Sequence, residues 1–217
     1  MLQTRKAPDR LILCVRTRPL TMQLLSRPLE GRYVRLEPIT PAHEEALKAS
    51  IDCDPEAWEI MSVNGCGEGF ETFWAQTLGE TQRGERIGYA IRRKSDGRVV
   101  GTTSFLAIRP LHGGVEIGAT FLHPDARSGP VNPETKLLLL DHAFDCGAVR
   151  VEFMVDVRNA RSQAAVAKLG AQKEGVLRHH KITWTGHVRD TAVFSIIDTE
   201  WPAVKARLEF RLTETVA

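Results

Sequence analysis

Asn159-Ala160-Arg161-Ser162 follows an alternating apolar stretch from Val149 to Val157 and leads into a short alanine-rich segment closed by Gly170. An Asn and a Ser three residues apart lie one helical turn from each other, so an amide and a hydroxyl address the same spot. The amide can both donate and accept there. The same spacing suits an ordinary helix start with Asn159 as its cap, and the two roles are compatible. Glu116, in Val115-Glu116-Ile117-Gly118, is an acid inside an apolar strand. Such an acid is costly unless its carboxylate is paired or faces a cleft, which makes Glu116 a candidate proton acceptor; the alternative is an edge-facing or salt-bridged Glu. His179 and His180 are the next titratable candidates, because strand alternation turns one of them inward.

These side chains need elements to hold them. Gly31 to Pro38 alternates as a first strand. Thr40-Pro41 supplies a cap and a proline suited to the first helical position, opening a helix to about Ser50. Asp54-Pro55 repeats that signal for a short second helix through Met61. Phe70 to Leu78 reads as a third, with Phe73, Trp74 and Leu78 as its apolar stripe. Strands at about 87–93 and 99–108 meet at the turn signal Lys94-Ser95-Asp96-Gly97, and another spans about 115–122. Asn132-Pro133 opens a longer helix through Phe144. The 149–157 strand, a helix at about 161–169, strands near 176–184 and 188–197, and a last helix from about Thr199 to Leu208 complete the chain. The expected fold is mixed α/β. Trp58, Phe70, Trp74 and Trp184 are expected to line or support the acceptor side, with core packing the simplest explanation of each.

The chain has 217 residues and a net charge of +2 that is unevenly placed. Residues 1–22 hold five basic residues and one acid, leaving 24 basic and 26 acidic groups for the rest. A body this close to neutral argues against a nucleic-acid surface, which needs clustered cations. Residues 1–22 show no clear period and are expected to form a mobile extension, with 23–217 as a single domain. Cys14, Cys53, Cys66 and Cys146 have neither C-x-x-C nor Cys/His ligand spacing, so reduced thiols and a cytoplasmic location are expected. The longest uncharged apolar run of the tail, Leu11 to Val15, is too short for a signal-peptide core or a membrane span.

A strand, an Asn-x-x-Ser at its end, a helix closed by Gly170, then Glu174-Gly175 before another strand together resemble the C-terminal half of the GNAT N-acetyltransferases. Within that superfamily the block resembles the ribosomal-protein N-terminal (Rim-type) branch. The resemblance implies a GNAT fold over roughly 28–200, with a mixed central sheet of about six to seven strands flanked by helices. It implies acetyl-CoA as co-substrate, no metal, and direct attack of an amine on the thioester without an acyl-enzyme. Asn159 and Ser162 would then lie beside the pantetheine, with Ser162 meeting the departing thiolate. The pyrophosphate would lie at Asp125 to Asn132, where backbone N–H groups at a helix start bind anions. The family's glycine-rich loop is matched only in part. Pro130 and Pro133 lack an N–H, which leaves Arg127, Ser128, Gly129, Val131 and Asn132 as donors, and the Arg127 side chain can pair with phosphate.

The glutamate that the nearest relatives carry after Glu-Gly falls at Lys181, so its role as base does not carry over to this chain. Glu116 is therefore the expected base, directly or through water, followed by His179 and His180. A weak base suits an α-amine, whose reference pKa is about 7.7–8.0. Gly170 is expected as a helix C-cap, with Glu174, Gly175, Arg178, Arg189 and Asp190 structural and an ion pair between the last two. The acceptor stays open between a protein N-terminus and a small-molecule amine. The alternatives are a non-catalytic CoA-binding or sensing module of the same fold and an antibiotic- or metabolite-modifying acetyltransferase. No nucleic-acid or membrane partner is expected, and a homodimer remains open.

Overall fold

The computed structural model describes residues 21–214, so Cys14 and most of the expected N-terminal extension lie outside the described residues. Met22 is already part of the domain: it is buried and its N–H donates to the Pro110 carbonyl at 3.1 Å.

The strands are β1 (Leu29–Glu30), β2 (Val34–Pro38), β3 (Ile87–Arg93), β4 (Val99–Arg109), β5 (Gly114–Leu122), β6 (Arg150–Asp156), β7 (Gln172–Ile182) and β8 (Val188–Ile197). They make one sheet in the order β1-β2-β3-β4-β5-β6-β8-β7. Eight strands rather than six or seven result because Leu29–Glu30 pairs with Leu36 and Arg35, a segment too short for alternation to reveal. Every neighbouring pair is antiparallel except β5 with β6. The helices are α1 (Glu44–Ile51), α2 (Phe70–Gln82), α3 (Val131–Asp145), α4 (Ala160–Leu169) and α5 (Trp201–Glu214). Asp54-Pro55 opens only a 3-10 turn, Pro55–Trp58, instead of a helix through Met61. Thr40-Pro41 likewise opens a 3-10 turn, capped reciprocally by His43, before α1 begins.

Two apolar clusters lie on opposite faces of the sheet, as the period of two requires. Tyr89 and Ile91 join Phe105, Ile117, Val151, Phe153 and Ile196 beneath α3 and α5. Ala90 and Phe121 instead join Leu47, Ile51, Trp58, Phe70, Phe73 and Trp74 of the α1–α2 side. The second cluster includes no residue of β6, β7 or β8. The α1–α2 pair therefore covers half of that face and leaves the β6-β8-β7 half without an apolar lid. Glu134, in the first turn of α3, anchors the β1–β2 turn by accepting the N–H groups of Arg32, Tyr33 and Val34 at 2.6–2.7 Å. Among the described residues no helix is long and apolar enough to cross a membrane.

Candidate active site

β5 and β6 pair only from Gly114↔Arg150 to Glu116↔Glu152. Beyond Glu116 they part, while β6 stays paired with β8 to Asp156. The divergence coincides with a bulge on β5: Ser104↔Gly118 is followed by Thr102↔Phe121, which places one extra residue on β5. Ala119 takes up the distortion at φ 47°, a left-handed conformation uncommon outside glycine. The result is a wedge whose two walls, residues 117–122 and 153–156, present backbone groups that no strand claims.

Glu116 sits at the closed end of this wedge. Its register partner Glu152 lies on the same face, so two carboxylates stand side by side, with the apolar Val115 and Ile117 on the opposite face. Glu152 is neutralised by Arg109 Nη2 at 2.6 Å and Arg150 Nε at 2.9 Å. Glu116 has no hydrogen-bond or ion-pair partner among the described residues. Burial pushes its carboxyl above the usual range, Lys181 opposes that, and Glu152 adds to it. A half-buried, unpaired carboxylate with a raised pKa in a cleft has the properties of a general base.

Ser162 is in the first turn of α4, the helix that follows β6. Asn159 is the N-cap of α4, its Oδ1 accepting the Ser162 N–H at 2.9 Å. The capping role therefore holds, and it leaves the Asn159 amide nitrogen and the Ser162 hydroxyl available. Gly170 closes the helix in the left-handed conformation at φ 105°.

The loop before α3 is less simple than its sequence suggested. Arg127 turns inward: Nη2 meets Asp54 Oδ2 at 2.5 Å, Nε donates to the Leu122 carbonyl at 2.9 Å, and the guanidinium lies over Phe121. Its charge is thus shared with Asp54 rather than held ready for phosphate. Pro130 is the N-cap of α3, and Ser128 adopts φ 63°. Among the described residues nothing accepts the N–H groups of Ser128, Gly129, Val131 and Asn132, so these groups are free to receive an acceptor. Space beyond Gly129 is open. A cleft of about 490 Å³ adjoins it, bounded by Arg32, Tyr33, Arg93, Lys94 and Pro130. Arg32 and the adjacent Arg93 and Lys94 come from distant segments, and Arg93 is already paired with Asp96 and Asp125 and Lys94 with Glu30.

On the β7–β8 side, Lys181 faces Arg189 across the strands, and its charge acts on Glu116. A four-residue stretch of β7 opposite two on β8 puts His179 at φ 50° and turns His180 inward, with Nδ1 3.1 Å from Thr191 Oγ1. Burial, then Lys181 and Arg189, hold His180 below the usual histidine range. The expected Arg189–Asp190 ion pair does not form, because neighbours on a strand point to opposite faces. Arg189 reaches Asp156 at 3.9 Å, the Met154 carbonyl and Ser62 Oγ, whereas Asp190 accepts the His179 N–H. Glu174 is structural: Arg150 grips it, Ser195 Oγ donates to it, and Arg150 holds its carboxyl at about 2.

Trp58, Phe70 and Trp74 are core residues, but Trp184 is half exposed. Its Nε1 donates to the Trp58 carbonyl at 2.8 Å. With the Arg189–Ser62 bond it ties the β7–β8 hairpin to the segment between α1 and α2. A hollow of about 310 Å³ lies there, lined by uncharged groups including Ser62, Asn64, Thr72, Gln76 and Trp184. Cys53, Cys66 and Cys146 are free thiols.

The fold is shared with known proteins. Residues 34–172 match the acetyltransferase (GNAT) domain family. The chain is 33% identical over 175 residues to the uncharacterized N-acetyltransferase YoaA of Bacillus subtilis (strain 168), covering 78% of this chain and 96% of that one. A crystal structure of a GCN5-related N-acetyltransferase from Brucella melitensis superposes with a TM-score of 0.81 at 29% identity, over 90% of this chain and 88% of that one. Mycobacterium smegmatis RimJ, solved with CoA-disulfide, superposes at a TM-score of 0.71 and 22% identity, over 85% and 93% of the two chains; at that identity the likeness extends to the fold. The ribosomal-protein branch expected from the Asn159-to-Arg178 block is thus less similar to this chain than other acetyltransferases are. The chain belongs to the GNAT acetyltransferase family and is an acetyl-CoA-dependent N-acetyltransferase.

Proposed function

We propose that this enzyme moves the acetyl group of acetyl-CoA directly onto a primary amine held with it in a ternary complex. The observation that carries this reading is the parting of β5 from β6 beside a half-buried, unpaired Glu116. Pyrophosphate fits the unclaimed N–H groups of Ser128 to Asn132 at the start of α3. The pantetheine amides find partners on the open strand edges and on the Asn159 side chain. In the reaction the amine nitrogen bonds to the thioester carbon and the carbon–sulfur bond breaks. Glu116 takes the amine proton through water, and the Ser162 hydroxyl donates toward the leaving sulfur. Stabilising charge that appears only as the bond breaks accelerates the step.

The acceptor enters from the open half of the sheet, between the α1–α2 segment and the β7–β8 hairpin. A single, partly opposed base favours an amine that is substantially neutral near pH 7, such as an α-amine of a protein N-terminus or a low-pKa small-molecule amine. The uncharged hollow beside Trp184 suits the neutral body of such an acceptor. Thiol release from acetyl-CoA, measured over a panel of α-amine peptides, lysine peptides and small amines, tests this. Turnover should concentrate on acceptors of low amine pKa, and preference for lysine side chains would reject the reading.

A further inference from the structure

Lys136 stands on the sheet-facing side of α3 with Leu139, Leu140 and Ala143, yet only 6% of its surface is exposed. Its Nζ donates to one group, Thr120 Oγ1, at 2.7 Å, and no carboxylate among the described residues pairs with it. Thr120 in turn lies 2.8 Å from Thr103 Oγ1, so the facing groups on β5 and β4 are hydroxyls. Charged groups on surrounding elements are committed elsewhere, except Glu116 of β5, which lies on the other face of the sheet from α3. Glu134 holds the 32–34 amides, Arg127 holds Asp54, His142 meets the Leu25 carbonyl at 2.7 Å, and Arg86 binds Glu80. Burial alone brings the Lys136 amine down to about 7, because an ammonium without a counter-charge is costly inside a protein.

The place of this amine matters as much as its burial. Thr120 adjoins the bulge residue Ala119 at the mouth of the wedge. Lys136 is five residues into α3, or about 7–8 Å along its axis, and helical side chains lean back toward the N-terminus. That lean carries the amine toward the loop whose N–H groups are unclaimed. We propose that Lys136 is the built-in counter-charge for the phosphate groups of acetyl-CoA, taking up a proton as the anion docks at the start of α3. This rests on the donor assignment above. In the free protein a neutral amine avoids a buried charge; the bound anion makes the ammonium the favoured form.

The bound state then holds more protons than the free state, so affinity falls as pH rises above about 7. With a bound-state pKa near about 9, binding should weaken roughly five-fold from pH 7 to 8. Isothermal titration calorimetry of the full chain with acetyl-CoA at pH 8, in Tris and in HEPES, reads the proton count from the difference in heats. Phosphate groups have finished ionising well below that pH, with a second pKa of about 6, and the ligand has no free thiol. The wild type should take up roughly 0.5–0.9 proton. Lys136→Met should take up none and bind with pH-independent affinity. Acetyl-pantetheine, which lacks the phosphates, should bind the wild type without uptake, a control independent of the variant's folding. Wild-type binding without uptake, uptake retained in Lys136→Met, or uptake with acetyl-pantetheine would each overturn the proposal. Failure of the wild type to bind acetyl-CoA at millimolar concentration would overturn the donor assignment instead.

Discussion

Glu116→Gln separates chemistry from packing, because the structure gives the two effects opposite signs. The carboxylate is half-buried, has no hydrogen-bond partner among the described residues, and stands beside Glu152. Its folded pKa is raised, so the protonated form is the one the fold prefers. The ionised group therefore costs stability above the folded pKa, and that cost disappears as pH falls below it. An uncharged amide of the same shape removes the cost at neutral pH, so the variant should melt at the wild-type temperature or higher. Turnover should fall, since no other carboxylate can replace the base: Glu152 is held by Arg109 and Arg150. A base acting through water sits at the low end of general-base effects, roughly 10- to 100-fold, which is about 1.4–2.7 kcal/mol in barrier height. The residual activity should climb with pH as the amine itself loses its proton. The assay is thiol release at saturating acetyl-CoA across roughly pH 6 to 9, with a thermal melt in the same buffers. Wild-type rates throughout that range would remove Glu116 from the mechanism. Loss of activity together with a lower melting temperature would mean that the carboxylate is structural.

Ser162→Ala should lower turnover about 10- to 100-fold while leaving acetyl-CoA affinity nearly unchanged, because a hydroxyl facing the leaving sulfur acts mainly on the transition state; weak binding with full turnover in single-turnover kinetics would make it a binding residue. Glu37 is held at about 2, first by the Arg92 hydrogen bond and then by His43. Its depressed pKa contributes stability that is present above about 4.5 and lost as pH falls through about 2. Glu37→Gln should therefore cost about 2–3 kcal/mol at pH 7 and nothing near pH 2, as read from denaturation midpoints at both. Glu134→Gln should cost about 3–4 kcal/mol, since one amide oxygen cannot satisfy three backbone N–H groups that now share a carboxylate; an unchanged urea midpoint would contradict this.

Elements governed by neighbouring residues could be read directly from the chain. Asn159 as cap and Gly170 as closing residue of α4 depend on hydrogen bonds and backbone angles within a few positions, and both hold. The alternation of β2 and the helical stripe of α2 are periodic signals of the same local kind. The unclaimed N–H groups of Ser128, Gly129, Val131 and Asn132 follow from a loop that ends at a helix start. Where local signals were short or mixed, boundaries moved: β1 is two residues long, and Asp54-Pro55 yields one 3-10 turn.

What the chain alone did not disclose lies in contacts between distant segments. Arg127 looks like a phosphate ligand until Asp54, 73 positions earlier, is found holding it. Glu116 and Glu152 become neighbours only because a parallel pairing joins strands separated by α3. The Arg189–Asp190 pair suggested by adjacency is replaced by Arg189 with Asp156 and Ser62. Lys136 reads in sequence as one more helix lysine, and its burial against Thr120 comes from the packing of α3 on β5. Periodicity and capping are set by the backbone within one turn or one pleat, so sequence determines them. The charge state of a side chain is set by which distant dipoles and ions surround it and how much water they exclude, and that is decided only when the sheet and helices close over one another.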